Sequence, residues 1–149
     1  SKWEEGISSP YFALIVCPSS LIYNWEKEIQ RFAPHLHAVA VTGTALERKA
    51  LIEGTGSGEI LITSYDLLRR DIACYENCRF GYEIIDEAQY IKNHNTKAAR
   101  AVKEIQADFR AALTGTPIEN RLSELWSIFD FLMPGFLFQY QKFRLYIFF

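Results

Sequence analysis

No apolar run in this 149-residue chain approaches the roughly 20 residues of a membrane-spanning helix, so no such span is expected. The opening stretch, SKWEEGISSPY, lacks the apolar segment of a secretory signal. Cysteine is scarce. Cys17, Cys74 and Cys78 are an odd count with no framework spacing, which argues against a disulfide-stapled scaffold. Reduced thiols in a cytosol or nucleoid fit better. Cys74 and Cys78 stand four apart, as they would on one face of a helix. The three histidines, His35, His37 and His94, are scattered and form no metal-ligand spacing with the cysteines. No block of like charge occurs, and the formal net charge is −2. A basic protein that coats nucleic acid is thereby excluded, whereas a local basic face is not. There is no internal repeat, no low-complexity segment and no linker. No Gly-Lys-Ser/Thr occurs anywhere.

What is present suits a single soluble α/β domain. The hydrophobic fraction is 49% and the charged fraction 23%. A domain of this length buries roughly 70% of its unfolded surface, enough for a core without staples. Short apolar runs alternate with helical periodicity. Strands are expected at Phe12–Cys17, His37–Val41, Ile60–Thr63, in YEIID from Tyr82, and at Phe109–Thr114. Between them, Leu21/Ile22, Trp25, Ile29 and Phe32 fall on one helical face, with Ser19 or Ser20 as the cap and Pro34 as the stop. A second helix spans Leu46–Glu53. A third, capped by Ser64, carries Leu67, Leu68 and Ile72. A fourth, opened by Asn93 or Asn95, carries Ala98, Ala99, Val102 and Ile105. Leu122, Leu125, Trp126, Phe129 and Leu132 predict a last helix closed by Pro134-Gly135. This alternation implies a mostly parallel sheet covered on both faces, a three-layer α/β architecture. The end, FRLYIFF, is unusually apolar for a chain terminus and is compatible with self-association, the oligomeric state being open at this point.

In such sheets the chemistry sits at the carboxyl ends of the strands. Four polar stretches fall there: PSS, TSYD, DEAQ and TGTP. Asp86 and Glu87 close an apolar strand. An aspartate so placed can hold Mg²⁺ through water, and the neighbouring glutamate can orient or deprotonate a water that attacks a γ-phosphate. The plainer alternative is a strand that surfaces in acids. Thr114, Gly115 and Thr116 can sense a γ-phosphate or bond the glutamate, or can form a simple turn before Pro117. Pro18, Ser19 and Ser20 can perch a nucleic-acid phosphate at a helix start, or merely cap it. Trp25 shares the stripe of Leu21 and Ile29 and reads as core. Arg69-Arg70 reads as a solvated helix end. The loop Gly54-Thr55-Gly56-Ser57-Gly58 precedes a strand instead of following one, so it reads as a connection and not a phosphate loop.

Taken together, LIVCPSSLIYNWEKEIQRFAP, ILITSYDLLRRD, IIDEAQYIKN and AALTGTPIENRLSELWSIFDFLMPGFL resemble the Swi/Snf family of DNA-dependent ATPases in helicase superfamily two. The resemblance runs from about Ala13 to Arg144, and the form with DEAQ and ENRLSELW looks like the bacterial members. It implies that residues 1–149 are part of the first of two RecA-like lobes, of the P-loop NTPase type and incomplete at the N-terminus. Pro18, Ser19 and Ser20 then match motif Ia, and Thr63, Ser64 and Tyr65 match motif Ib, both DNA-contacting. Asp86 would serve Mg²⁺, Glu87 the attacking water, and Gln89, Thr114, Gly115 and Thr116 the nucleotide. ATP and Mg²⁺ are the implied ligands. Duplex DNA and a second RecA-like lobe are the implied partners, with a nucleoprotein or RNA polymerase as the target acted on. The location implied is the bacterial cytoplasm, at the nucleoid. RNA helicases of the same superfamily usually carry Ser-Ala-Thr where this chain has Thr-Gly-Thr. The family's Walker A loop and second lobe are missing from these residues, so the chain alone is expected to be inactive and to bind DNA weakly. The competing expectation is a non-catalytic RecA-like scaffold or protein-interaction module.

Overall fold

The computed structural model describes residues 11–54 and 59–114, together with Ser127 and Phe131. Five strands, β1 (Tyr11–Cys17), β2 (His37–Ala40), β3 (Glu59–Ser64), β4 (Phe80–Ile85) and β5 (Ala107–Ala112), form one sheet in the order β2-β3-β1-β4-β5. Every pairing is parallel. The chain builds outward on one side of β1, through β2 and β3, and then crosses to β4 and β5 on the other. The central position of β1 explains its composition. Six of its seven residues are buried, so it reads as a continuous apolar run, not an alternating one.

The helices described against the sheet include α1 (Ile22–Phe32), α2 (Ala45–Gly54), α3 (Tyr65–Asp71) and α4 (Lys97–Glu104). One face packs Ala13, Ile15, Cys17, Ile60 and Ile62 against Ile22 of α1, with Trp25 and Ile29 half-buried behind it. The other face packs Leu14, Val16, Leu61, Phe80 and Ile85 against Ile52, Leu68, Ala99 and Val102 of the remaining helices. Phe80 is fully buried, and its ring lies 5.2 Å from Tyr11 and 6.2 Å from Tyr75. Buried charge ties helix to helix: Arg48 of α2 donates from Nε to Asp71 of α3 at 2.7 Å and from Nη2 at 2.9 Å.

The helix starts differ in part from the sequence expectation. Ser64 does cap α3, accepting from the Leu67 amide at 3.1 Å. Neither Ser19 nor Ser20 caps α1. They lie in a 3₁₀ turn, Ser19–Leu21, that feeds into α1, whose N-cap position is Leu21. Asn93 and Asn95 do not cap α4 either. Asn93 Oδ1 closes a turn with the Asn95 amide at 3.0 Å, and Thr96 takes the cap, accepting from Ala99 at 3.1 Å. Cys74 and Cys78 do not share a helix. Cys74 sits in a 3₁₀ turn, Ile72–Tyr75, and Cys78 lies beyond it. The connection at 55–58 and the apolar end lie outside the described residues. Of the last expected helix only Ser127 and Phe131 are described; both are helical and buried. Among the described residues no helix is long and apolar enough to cross a membrane.

Candidate functional site

The ends of β1, β3, β4 and β5 bring PSS, TSYD, DEAQ and Thr114 to one edge of the sheet, beside the crossover from β3 to β4. Asp86 follows β4 and stays in its ladder, its amide donating to Val16 O at 2.8 Å. Glu87 then turns the chain with a left-handed backbone, φ 53° and ψ 54°, and is the positive-φ non-glycine residue among those described. Its turn starts a 3₁₀ helix, Ala88–Ile91. The turn is braced by β5, since the Ala88 amide donates to Leu113 O at 2.8 Å and the Leu113 amide to Ile85 O at 2.8 Å. Left-handed backbone in a residue bearing a Cβ is costly and clusters where function demands it.

Both carboxylate oxygens of Asp86 are held. Oδ1 accepts from the Glu87 amide at 2.9 Å, and Oδ2 accepts from the Trp25 indole Nε1 at 2.9 Å. The Tyr65 hydroxyl donates to the Asp86 carbonyl at 2.6 Å. Glu87 accepts from Gln89 Nε2, and Thr114 Oγ1 donates to Gln89 Oε1 at 2.9 Å. The glutamate of β4's turn is thus linked through Gln89 to Thr114, two residues beyond β5. Burial, and then the charge of Asp86, push the thiol of Cys17, at the end of β1, up to about 12. Burial, followed by the same charge, raises the Tyr65 hydroxyl above its ordinary range, so it remains a donor.

The candidate DNA-contacting residues separate into two sets. Ser19 and Ser20 are exposed and Pro18 is half-buried, at the end of β1. Thr63, Ser64 and Tyr65 are buried, at 0%, 1% and 4% exposure. Ser64 spends its hydroxyl on the helix cap, while Tyr65 points its hydroxyl at Asp86 and stacks on Tyr90 at 5.1 Å. Ser64 and Tyr65 thus use their side chains to brace the start of α3 from within. Arg69 and Arg70 pair with Asp66 on their own helix at 2.5 and 3.2 Å, as a solvated helix end would. Gly115, Thr116 and Pro117 lie outside the described residues.

Among the described residues no group of three or more His, Cys, Asp or Glu could cage a metal. Asp86 is a lone carboxylate at a strand end, a donor of the kind that meets Mg²⁺ through waters and together with substrate phosphates. Each Asp86 oxygen accepts one of these hydrogen bonds and retains acceptor capacity. Trp25 was legible only as core. Beside it, Leu21, Asn24, Trp25, Glu28, Ile29, Ala33 and Asp86 line a groove of about 490 Å³.

The SNF2-related domain family matches residues 4–147. The chain belongs to that family. It is 47% identical over 125 residues to the TATA-binding protein-associated factor MOT1 of Saccharomyces cerevisiae, covering 84% of this chain and 7% of that protein. It is 48% identical over 125 residues to the ATP-dependent helicase MG018 of Mycoplasma genitalium, covering 84% of this chain and 12% of that one. Yeast and bacterial relatives thus stand level, and the bacterial form is not singled out. The solved Sulfolobus solfataricus SWI2/SNF2 ATPase core in complex with dsDNA superposes with a TM-score of 0.76 at 40% identity, over 96% of this chain and 29% of that one. The chain spans a small part of the relatives it matches. The SNF2 relationship accounts for the parallel sheet and the ordered motifs at its edge.

Proposed function

We propose that this chain is the nucleotide-handling lobe of an ATP-driven motor that moves along duplex DNA without separating its strands. The observation that carries the reading is the acid pair at the end of β4, with Glu87 turned into the left-handed region and tied through Gln89 to Thr114. Asp86 is the residue that would hold Mg²⁺, which, when bound, neutralises charge on the phosphates of ATP. Glu87 orients the attacking water and receives its proton. Thr114, hydrogen-bonded to Gln89, relays the position of the β5 end to that glutamate, so that a shift on the DNA side changes the alignment of the water. Ser19 and Ser20, exposed at the neighbouring strand end, take DNA phosphates. The name of the archaeal core bound to dsDNA supports a duplex substrate.

Phosphoryl transfer depends on positioning and charge stabilisation. No Gly-Lys-Ser/Thr loop occurs within these 149 residues, so the chain by itself has no cradle for the β- and γ-phosphates and is expected not to turn over ATP. The competing reading is a RecA-like scaffold. Displacement of a third strand from a DNA triplex by the full-length protein separates the two. The motor displaces the third strand only with ATP and leaves the underlying duplex paired. A full-length protein that binds its partners yet shows no ATP-dependent displacement is a scaffold.

A further inference from the structure

Trp25 stands on the apolar stripe of α1, but its indole N–H leaves that stripe. It donates to Asp86 Oδ2 at 2.9 Å across 61 residues of sequence. Ile22, one turn earlier on the same face, is 2% exposed and purely apolar, whereas Trp25 is half-buried at the wall of the groove beside Asp86. The chemistry of the donor matters. An indole N–H cannot titrate and carries no charge. A lysine or arginine in its place would neutralise the carboxylate, and a histidine would change charge near neutral pH. The indole fixes one oxygen while leaving the negative charge available to a cation. The other oxygen is fixed by the Glu87 amide at 2.9 Å. Two donors from two different elements therefore determine the rotation of a carboxylate that would otherwise turn freely about its last bond.

We propose that Trp25 is a positioning residue, which sets the orientation of the Asp86 carboxylate for the divalent cation of the nucleotide. The proposal rests on the reading of Asp86 given above, and the experiment separates the two. Residues that orient a metal ligand from behind typically contribute about tenfold or more to metal affinity. The full-length protein is titrated with Mn²⁺ in the presence of a non-hydrolysable ATP analogue, and the free Mn²⁺ is read by electron paramagnetic resonance. Trp25→Phe is expected to weaken Mn²⁺ binding about tenfold. Analogue affinity measured in a chelator should be unchanged. Ile29→Ala, a packing loss on the same helix, should leave Mn²⁺ affinity alone. Wild-type Mn²⁺ affinity in Trp25→Phe, with Asp86→Asn impaired, overturns the proposal and makes Trp25 a packing residue. Wild-type affinity in Asp86→Asn overturns the reading of Asp86 itself. Should Trp25→Phe fail to fold, benzothienylalanine at position 25 exchanges the N–H for sulfur in the same shape, with the same outcomes deciding.

Discussion

At Glu87 the backbone and the side chain make opposite demands. A left-handed conformation in a residue with a Cβ costs roughly 1–2 kcal/mol, and glycine escapes it. Glu87→Gly is therefore expected to raise stability by about 1 kcal/mol while abolishing turnover. Urea unfolding and an ATPase assay on the same preparation check the pair; a destabilised variant would remove the strain argument. Thr114→Val deletes the bond to Gln89 and loosens the glutamate that Gln89 holds. It should lower kcat several-fold, in keeping with about 1 kcal/mol for one hydrogen bond, with little change in ATP affinity. A raised KM at constant kcat would place Thr114 in binding instead. The acid pair and Thr114 were legible in the sequence, because residue type and position at a strand end were enough to suspect them. Trp25 was not: its spacing is that of a core residue, and its partner lies 61 positions away.

The elements were legible where periodicity was clean. All five strands appear within a few residues of their expected bounds, because apolar runs in a parallel sheet are buried on both faces. Capping was less legible. Several hydroxyl and amide residues cluster before α1 and α4, and the choice among them is set by where the preceding strand or turn releases the chain. Tyr65 shows the same limit. TSYD reads as a polar stretch at a strand end, yet Thr63, Ser64 and Tyr65 are buried and the tyrosine turns inward. Tyr65→Phe keeps the stack on Tyr90 and loses only the bond to Asp86, so it should cost about 1 kcal/mol of stability. Duplex affinity should stay unchanged; a clear drop in fluorescence anisotropy would restore Tyr65 to the DNA surface.

Glu83 within β4 is a further element-scale feature. It is fully buried, accepts from Arg110 Nε at 3.1 Å, and Arg110 also donates to the carbonyls of Lys103, Ile105 and Phe131. Burial raises the Glu83 carboxyl well above its free value of 4.5, against the opposing pull of Arg110. The fold therefore favours the neutral acid. Its contribution is fully present below pH 4.5 and is lost as pH rises toward the raised folded value. Glu83→Gln removes this titration. The stability of the variant relative to wild type should be flat at low pH and increase above about pH 4.5. Melting temperatures across pH test it, and a difference independent of pH would contradict it.

At the scale of the molecule, strand order does what no single motif does. Placing β1 between β3 and β4 brings the exposed serines, the acid pair and Thr114 to one edge, although they are spread over most of the chain. Sequence alternation predicts a parallel sheet but not this order, since order depends on which side each crossover takes. Membership of the SNF2-related family is shown; the purpose proposed above for this edge is ATP hydrolysis coupled to movement on DNA. The most direct test is ATP turnover by the full-length protein with and without duplex DNA, wild type beside Glu87→Gln. The account predicts that duplex DNA stimulates the wild type, and that Glu87→Gln loses about 100-fold or more of that turnover while still binding ATP. Undiminished DNA-stimulated turnover in Glu87→Gln would contradict it.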